Sequence, residues 1–120
     1  MSVKSELRKK YKKIRKNVDG KADKDKIINH YLCNLKSLKN SKTILFYAAL
    51  DDEVNLDLSI KFLLENGKRV ALPVCIDNDG KMQYYYIRSF DDVQVGVFGV
   101  REPNTSVCDT VDNFDSAVCI

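Results

Sequence analysis

Lys4 and Arg8 lie four residues apart in a segment crowded with cations, and Asp51, Asp52 and Glu53 follow directly on the apolar run TILFYAAL. On a helix the basic pair shares one face and can grip a single anionic group. Three acids at the carboxyl end of a strand can coordinate a cation or orient a polar substrate. Plainer explanations stand beside both: a solvated basic helix, and a charged loop. His30 is the only histidine. It has no convincing Cys or carboxylate partner at metal-ligand spacing and reads as a half-exposed surface residue rather than a ligand or general base. Tyr84, Tyr85 and Tyr86 fall on both faces of a strand, as a stacking platform for a flat ring or as half-buried packing.

These groups need elements to hold them. Residues 43–50 and 69–76 are short apolar runs without alternation, as strands buried on both faces are. Between them Asn55 is suited to cap a helix, Asp57 to its first turn, Ile60, Leu63 and Leu64 to its apolar face, and Gly67 to its end. Strand, helix and strand this close predict a right-handed βαβ unit with parallel strands. Such a unit binds ligands past the carboxyl ends of its strands, here residues 50–55 and 74–78. Residues 2–17 read as a helix with Leu7, Tyr11, Ile14 and Val18 on one stripe. Residues 24–38 read as a second helix whose wide apolar face (Ile27, Ile28, Tyr31, Leu32, Leu35, Leu38) packs on the sheet. Asp77-Asn78-Asp79-Gly80 predicts a hairpin turn into a strand over 82–87. Residues 89–115 lack regular pattern, and 116–120 are β-like. A buried strand with no closing turn or helix after it reads as an α/β domain cut short.

The 120 residues, 44% hydrophobic, make one domain or part of one, spanning 1–120. No apolar run approaches membrane-spanning length, and no apolar stretch follows the basic N-terminus as in a secretory signal. Cys33, Cys75, Cys108 and Cys119 show no C-x-x-C spacing, and Cys75 and Cys119 sit in strand-like runs. They read as buried free thiols in a cytoplasmic protein, ahead of a disulfide or zinc site. Residues 1–26 hold eleven Lys/Arg against four Asp/Glu, net +7, and the remaining 94 hold nine against thirteen, net −4. That asymmetry points to an anionic ligand or to nucleic acid.

The chain resembles the N-terminal part of the 5-formyltetrahydrofolate cyclo-ligases, also called methenyltetrahydrofolate synthetases. Lys4, Leu7 and Arg8 resemble that family's K-x-x-L-R, and Arg15 its second arginine. Residues 46–55, with Glu53-Val54, resemble its folate-binding loop. Gly67-Lys68 through Leu72-Pro73-Val74 resembles the next strand, and Met82 the start of the one after. Gly96, Gly99, Glu102 and Pro103 resemble its G-x-x-G-x-x-E-P. Five motifs in order over nearly the whole chain make the match fairly specific.

The resemblance implies an α/β fold, an open three-layer sheet with helices on both faces. This fold is related to the NagB/RpiA/CoA transferase-like fold and is expected to be incomplete at the C-terminus. It implies a ligase of folate one-carbon metabolism. ATP with Mg²⁺ phosphorylates the formyl oxygen of 5-formyltetrahydrofolate, N10 attacks the activated carbon, and 5,10-methenyltetrahydrofolate, ADP and phosphate leave. By resemblance Lys4, Ser5, Glu6, Leu7 and Arg8 bind ATP, and Leu50, Glu53 and Asn55 bind substrate. Catalytic residues stay unassigned, and no metal ligand is expected in this chain.

Two departures stand out. Position 55 is usually acidic in the family. The family's glycine-rich loop with its G-Y-Y-D-like ending, which wraps ATP and helps hold Mg²⁺, lies beyond the strand resembled by 116–120. Weak ATP binding and little turnover are therefore expected. The expected partners are a reduced folate and ATP, without nucleic acid or membrane, and with self-association through the exposed final strand. The alternative is a non-catalytic remnant, a folate-binding or interaction protein. A small nucleic-acid-binding protein ranks last, because no nucleic-acid motif accompanies the basic segment.

Overall fold

The computed structural model describes residues 2–77, 79–96, 99–114 and 117–120. Along these run four α-helices, α1 (Val3–Lys16), α2 (Lys21–Cys33), α3 (Lys36–Lys39) and α4 (Asp57–Glu65). Six strands accompany them: β1 (Thr43–Leu45), β2 (Arg69–Cys75), β3 (Met82–Ile87), β4 (Val93–Val95), β5 (Arg101–Pro103) and β6 (Ala117–Cys119). The main sheet has the order β3-β2-β1-β6. β1 is parallel to β2 and to β6, and β3 is antiparallel to β2. The predicted parallel pair with α4 crossing over is therefore present. α4 stops where Gly67 turns left-handed at φ 77°. The Gly67 and Lys68 amides then donate to the Leu64 and Leu63 carbonyls, satisfying the last turn.

The pleat sends alternate residues to opposite faces. Ile44, Val70, Leu72 and Ile87 join Phe46, Leu38 and the α4 residues Ile60 and Leu63 in the larger core. Leu45 and Ala71 face the other way, under Val111 and beside Tyr84 and Tyr86. The strand tyrosines thus pack at both faces. β3 is not left as an open edge. Residues 109–111 run antiparallel along it, with the Tyr86 amide donating to the Asp109 carbonyl and the Val111 amide to the Tyr84 carbonyl. Between β2 and β3 the Asp77 carboxylate accepts from the Asp79 and Lys81 amides, and Gly80 takes φ 86°. Asn78 of the predicted turn lies outside the described residues.

Four expectations need correction. The β1 ladder is shorter than 43–50: the Phe46 amide still donates to the Ala71 carbonyl, and then the chain leaves the sheet. The helix expected over 24–38 begins at Lys21 and breaks after Cys33. There the Asn34 side chain donates to the His30 carbonyl, and Leu35 is extended. Of its wide apolar face only Leu32 and Leu38 reach the core, while Ile27, Ile28, Tyr31 and Leu35 are 41–69% exposed. α2 packs on α4 instead, and its one buried residue is Asn29. The contact is made by a hydrogen-bonded amide rather than by the aliphatic stripe. Finally, all four cysteines are free thiols, but Cys75 and Cys119 are exposed and only Cys108 is buried. The stripe on α1 is exposed too, with Leu7, Tyr11 and Ile14 near half accessible.

The patternless stretch 89–115 has an order of its own. A 3-10 turn (Phe90–Asp92) leads into the β4–β5 hairpin. A Cβ on Gly96 would overlap the Glu102 side chain, so the first glycine and the acid of G-x-x-G-x-x-E-P are sterically coupled. Pro103 of that motif is fully buried. Val97 and Phe98 lie outside the described residues. Among the described residues no helix is long and apolar enough to cross a membrane.

Candidate functional site

β1 delivers the chain to its carboxyl end, and residues 46–56 then cross to the start of α4. This loop is held from several directions. Within it, the Leu50 amide donates to the Glu53 carboxylate at 2.9 Å, and the Glu53 amide donates to the Leu50 carbonyl at 3.0 Å. The Tyr47 hydroxyl donates to the Val54 carbonyl at 3.0 Å. Burial, then the charges of Glu53 and Asp25, raises the Tyr47 pKa, which keeps that donor protonated. From α2, the Asn29 amide donates to the Asn55 carbonyl at 2.7 Å. From α1, Arg15 pairs with Asp52 at 3.3 Å. Desolvation works to raise the Asp52 pKa, but the Arg15 hydrogen bond and charge outweigh it and hold the carboxyl below its ordinary value.

Asn55 is committed on one side only. Its Oδ1 accepts from the Asp57 amide at 2.9 Å; the N-cap is Leu56 rather than the expected Asn55, which holds the first amide of α4 from one place before it. An N–H must meet an oxygen, which fixes the amide orientation and turns Nδ2 outward. Among the described residues that Nδ2 has no hydrogen-bond partner, and Asn55 lines a shallow cavity of about 470 Å³ between α2 and α4. An acid at 55 would show a ligand an acceptor; this chain shows a donor. The α4 terminus is itself occupied. Ser59 is fully buried, and its amide donates to the Asn29 Oδ1 at 3.1 Å. Arg101, arriving from β5, forms a two-pronged pair with Asp57 at 2.8 and 3.0 Å. These bonds raise the Arg101 pKa further above its ordinary value.

The three acids expected to act together therefore diverge. Asp52 turns to Arg15, Glu53 folds onto its own loop, and Asp51 stays exposed. Leu50, Glu53 and Asn55 lie on one loop between β1 and α4. Lys4, Ser5, Glu6, Leu7 and Arg8 share the first turns of α1, where the Ser2 hydroxyl oxygen caps the helix by accepting from the Ser5 amide. Lys4 and Arg8 are exposed, and neither side chain is paired among the described residues. At 1.5 Å per residue they stand roughly 16 and 10 Å along the axis from Arg15, the residue that touches the loop. No group of three or more His, Cys, Asp or Glu close enough to hold a metal exists among the described residues. His30 is exposed on α2.

Another cavity, of about 420 Å³, opens at the amino end of β2, beside Lys68, Arg69 and Arg88. Its cations are largely spent. Lys68 donates to the Lys39 and Ser41 carbonyls, Arg88 pairs with Asp92, and Arg69 lies on the Tyr86 ring. The loop at the carboxyl end of β1 is the better site on chemistry and on position.

Three residues that build this loop escaped the sequence reading: Asn29, Tyr47 and Arg101. Asn29 carried a signal, as a polar residue inside the run KIINHYL that a buried partner would explain. Arg101 carried none, being an unspecified position of the glycine motif.

The family described as the 5-formyltetrahydrofolate cyclo-ligase family matches residues 1–116. The solved structure of the 5,10-methenyltetrahydrofolate synthetase of Aquifex aeolicus superposes with a TM-score of 0.81 at 28% identity. That match covers 98% of this chain and 59% of that one, so the chain spans less than two thirds of its relative. Comparison with curated proteins gives no match. With the mixed sheet, the βαβ crossover and the loop all in place, the chain belongs to the 5-formyltetrahydrofolate cyclo-ligase family.

Proposed function

We propose that this chain binds a reduced folate against residues 50–55 and acts in ATP-dependent conversion of 5-formyltetrahydrofolate to 5,10-methenyltetrahydrofolate. The observation that carries the proposal is the loop. It stands at a parallel strand's carboxyl end, is ordered by three other elements, and leaves the Asn55 Nδ2 free to meet a ligand. In this reading Leu50, 41% exposed, offers apolar contact. Glu53 shapes the loop, and Asn55 donates a hydrogen bond. Lys4 and Arg8 meet the phosphates of ATP, with Ser5, Glu6 and Leu7 forming the helical turns that carry them. Phosphoryl transfer depends on such placed cations. The described residues do not assemble a Mg²⁺ site, so no step here is assigned to the metal. A cytoplasmic location, and self-association along the outer edge of β6, belong to the same proposal.

The separation of Lys4 and Arg8 from the loop along α1 favours one second reading, a folate-binding protein without turnover. Two measurements separate them. Calorimetry with 5-formyltetrahydrofolate reports binding. The absorbance of methenyltetrahydrofolate formed with ATP and Mg²⁺ reports catalysis, which Lys4→Ala/Arg8→Ala should abolish. Binding without product supports the second reading, and no folate binding at all defeats both.

A further inference from the structure

We propose that Arg101 is a positioning residue that sets the span of the 50–55 loop by tying the residue before it to the helix after it. The consequence for ligand binding rests on the folate reading above; the geometry does not. Arg101 comes from β5, 44 positions beyond Asp57. Its Nη1 and Nη2 donate to the two Asp57 oxygens at 2.8 and 3.0 Å, and Nη2 also reaches the Ala49 carbonyl at 3.4 Å. Ala49 and Asp57 bracket the loop, so one rigid planar group fixes the distance between its ends.

The clamp is itself held. Arg101 pairs with Val95 across the hairpin, on the strand that ends at buried Pro103, and its guanidinium lies 5.9 Å from the Phe90 ring. With side-chain exposures of 29% for Arg101 and 35% for Asp57, the pair is only partly open to screening. Among the described residues Arg101 makes no hydrogen bond to Leu50, Glu53 or Asn55, so it acts on a folate only through the loop. Asp57 also stands in the first turn of α4, where the helix dipole favours an acid. Removing Arg101 therefore takes away the tie while leaving the start of the helix in place. The function of the motif's unspecified position is thus distinct from that of Gly96 and Glu102, which settle the hairpin turn.

Amide hydrogen exchange on the ligand-free 120-residue protein tests this. The probes are the Leu50 and Glu53 amides, which bond within the loop, and the Val70 and Leu72 amides of β2 as reference. In Arg101→Ala, Leu50 and Glu53 should exchange about tenfold faster with the β2 amides unchanged. Asp57→Asn should behave alike. Arg101→Lys should fall between, because an ammonium can meet Asp57 but cannot span to Ala49 as a fork does. Affinity for 5-formyltetrahydrofolate, measured on the same proteins, should fall about tenfold in Arg101→Ala. Unchanged loop exchange, or equal acceleration in β2, overturns the clamp. Faster loop exchange with wild-type folate affinity overturns its role in positioning. A wild-type protein that binds no folate defeats the proposed function, and the exchange rates still decide whether Arg101 sets the loop.

Discussion

Asn29→Ala should cost about 2–3 kcal/mol of stability. Asn29 is 5% exposed and uses every polar position it has. Nδ2 donates to the Asp25 and Asn55 carbonyls, both at 2.7 Å. Oδ1 accepts from the Ser59 amide and from the Ser59 hydroxyl. Truncation leaves two orphans of consequence. The Ser59 amide has no water to turn to, since the residue is fully buried. The Asn55 carbonyl is half-buried and regains part of its loss from solvent. The Ser59 hydroxyl can swing to the Asn29 carbonyl, which already lies 3.5 Å away. One full and one partial orphan, at about 1–3 kcal/mol each, give the figure above. For a domain of this size it corresponds to a fall in Tm of about 8–12 °C.

Thermal denaturation followed by circular dichroism at pH 7 measures it, with Asn29→Asp as the isosteric companion. A carboxylate keeps the acceptors for Ser59 but sets oxygen against the Asp25 and Asn55 carbonyls. Its folded pKa then lies above the unfolded value of about 3.9. The penalty is full above the folded pKa and shrinks as pH falls through it, because protonation restores a donor. A Tm within about 2 °C of wild type for Asn29→Ala would refute the reasoning and leave α2 and α4 joined by packing alone.

Three further outcomes are expected. Asn55→Asp keeps the cap on Asp57 and adds an acid at the α4 terminus, so stability should change by less than about 1 kcal/mol, and under the folate reading affinity for 5-formyltetrahydrofolate should rise; calorimetry showing weaker binding would reject the carried-over role. The Asp92 pKa is lowered, first by the Arg88 amide and then by the Arg88 side chain. Its stabilisation is therefore present above the ordinary value of 3.8 and lost as pH falls through the lower folded value. Asp92→Asn should remove that loss, so urea midpoints of the two proteins should converge in acid. Gly96→Ala should destabilise by about 1–2 kcal/mol through Glu102, and Glu102→Ala should relieve most of it. Additive effects in that double-mutant cycle would show the two residues to be uncoupled.

The βαβ unit was legible because its signals are local. Apolar runs at 43 and 69, an Asn before the helix and a Gly after it each specify backbone geometry by their own chemistry. The loop was legible as a position, since the carboxyl end of a parallel strand is where ligands go. Its construction was not. Arg101 and Asp57 meet across 44 positions, and Asn29 and Ser59 across 30. No periodicity encodes such pairings. α2 misled for a related reason: Ile27, Ile28 and Tyr31 make a persuasive apolar stripe, yet the polar Asn29 makes the contact because Ser59 offers it partners. The burial expected of Cys75 and Cys119 failed at strand ends, where a run that is apolar in sequence has already left the core.

The central position of β1 has a consequence during synthesis. Thr43 pairs with Arg69 on one side and with Ala117 on the other, 26 and 74 positions later. At about 5–20 residues per second, the second flank waits roughly 4–15 s after β1 itself is made. Throughout that interval Ile44 and Leu45, which end up buried, lie in a segment with at least one side unpaired. The nascent chain thus passes through a stage in which its innermost strand is a temporary border, open to chaperones and to neighbouring chains alike.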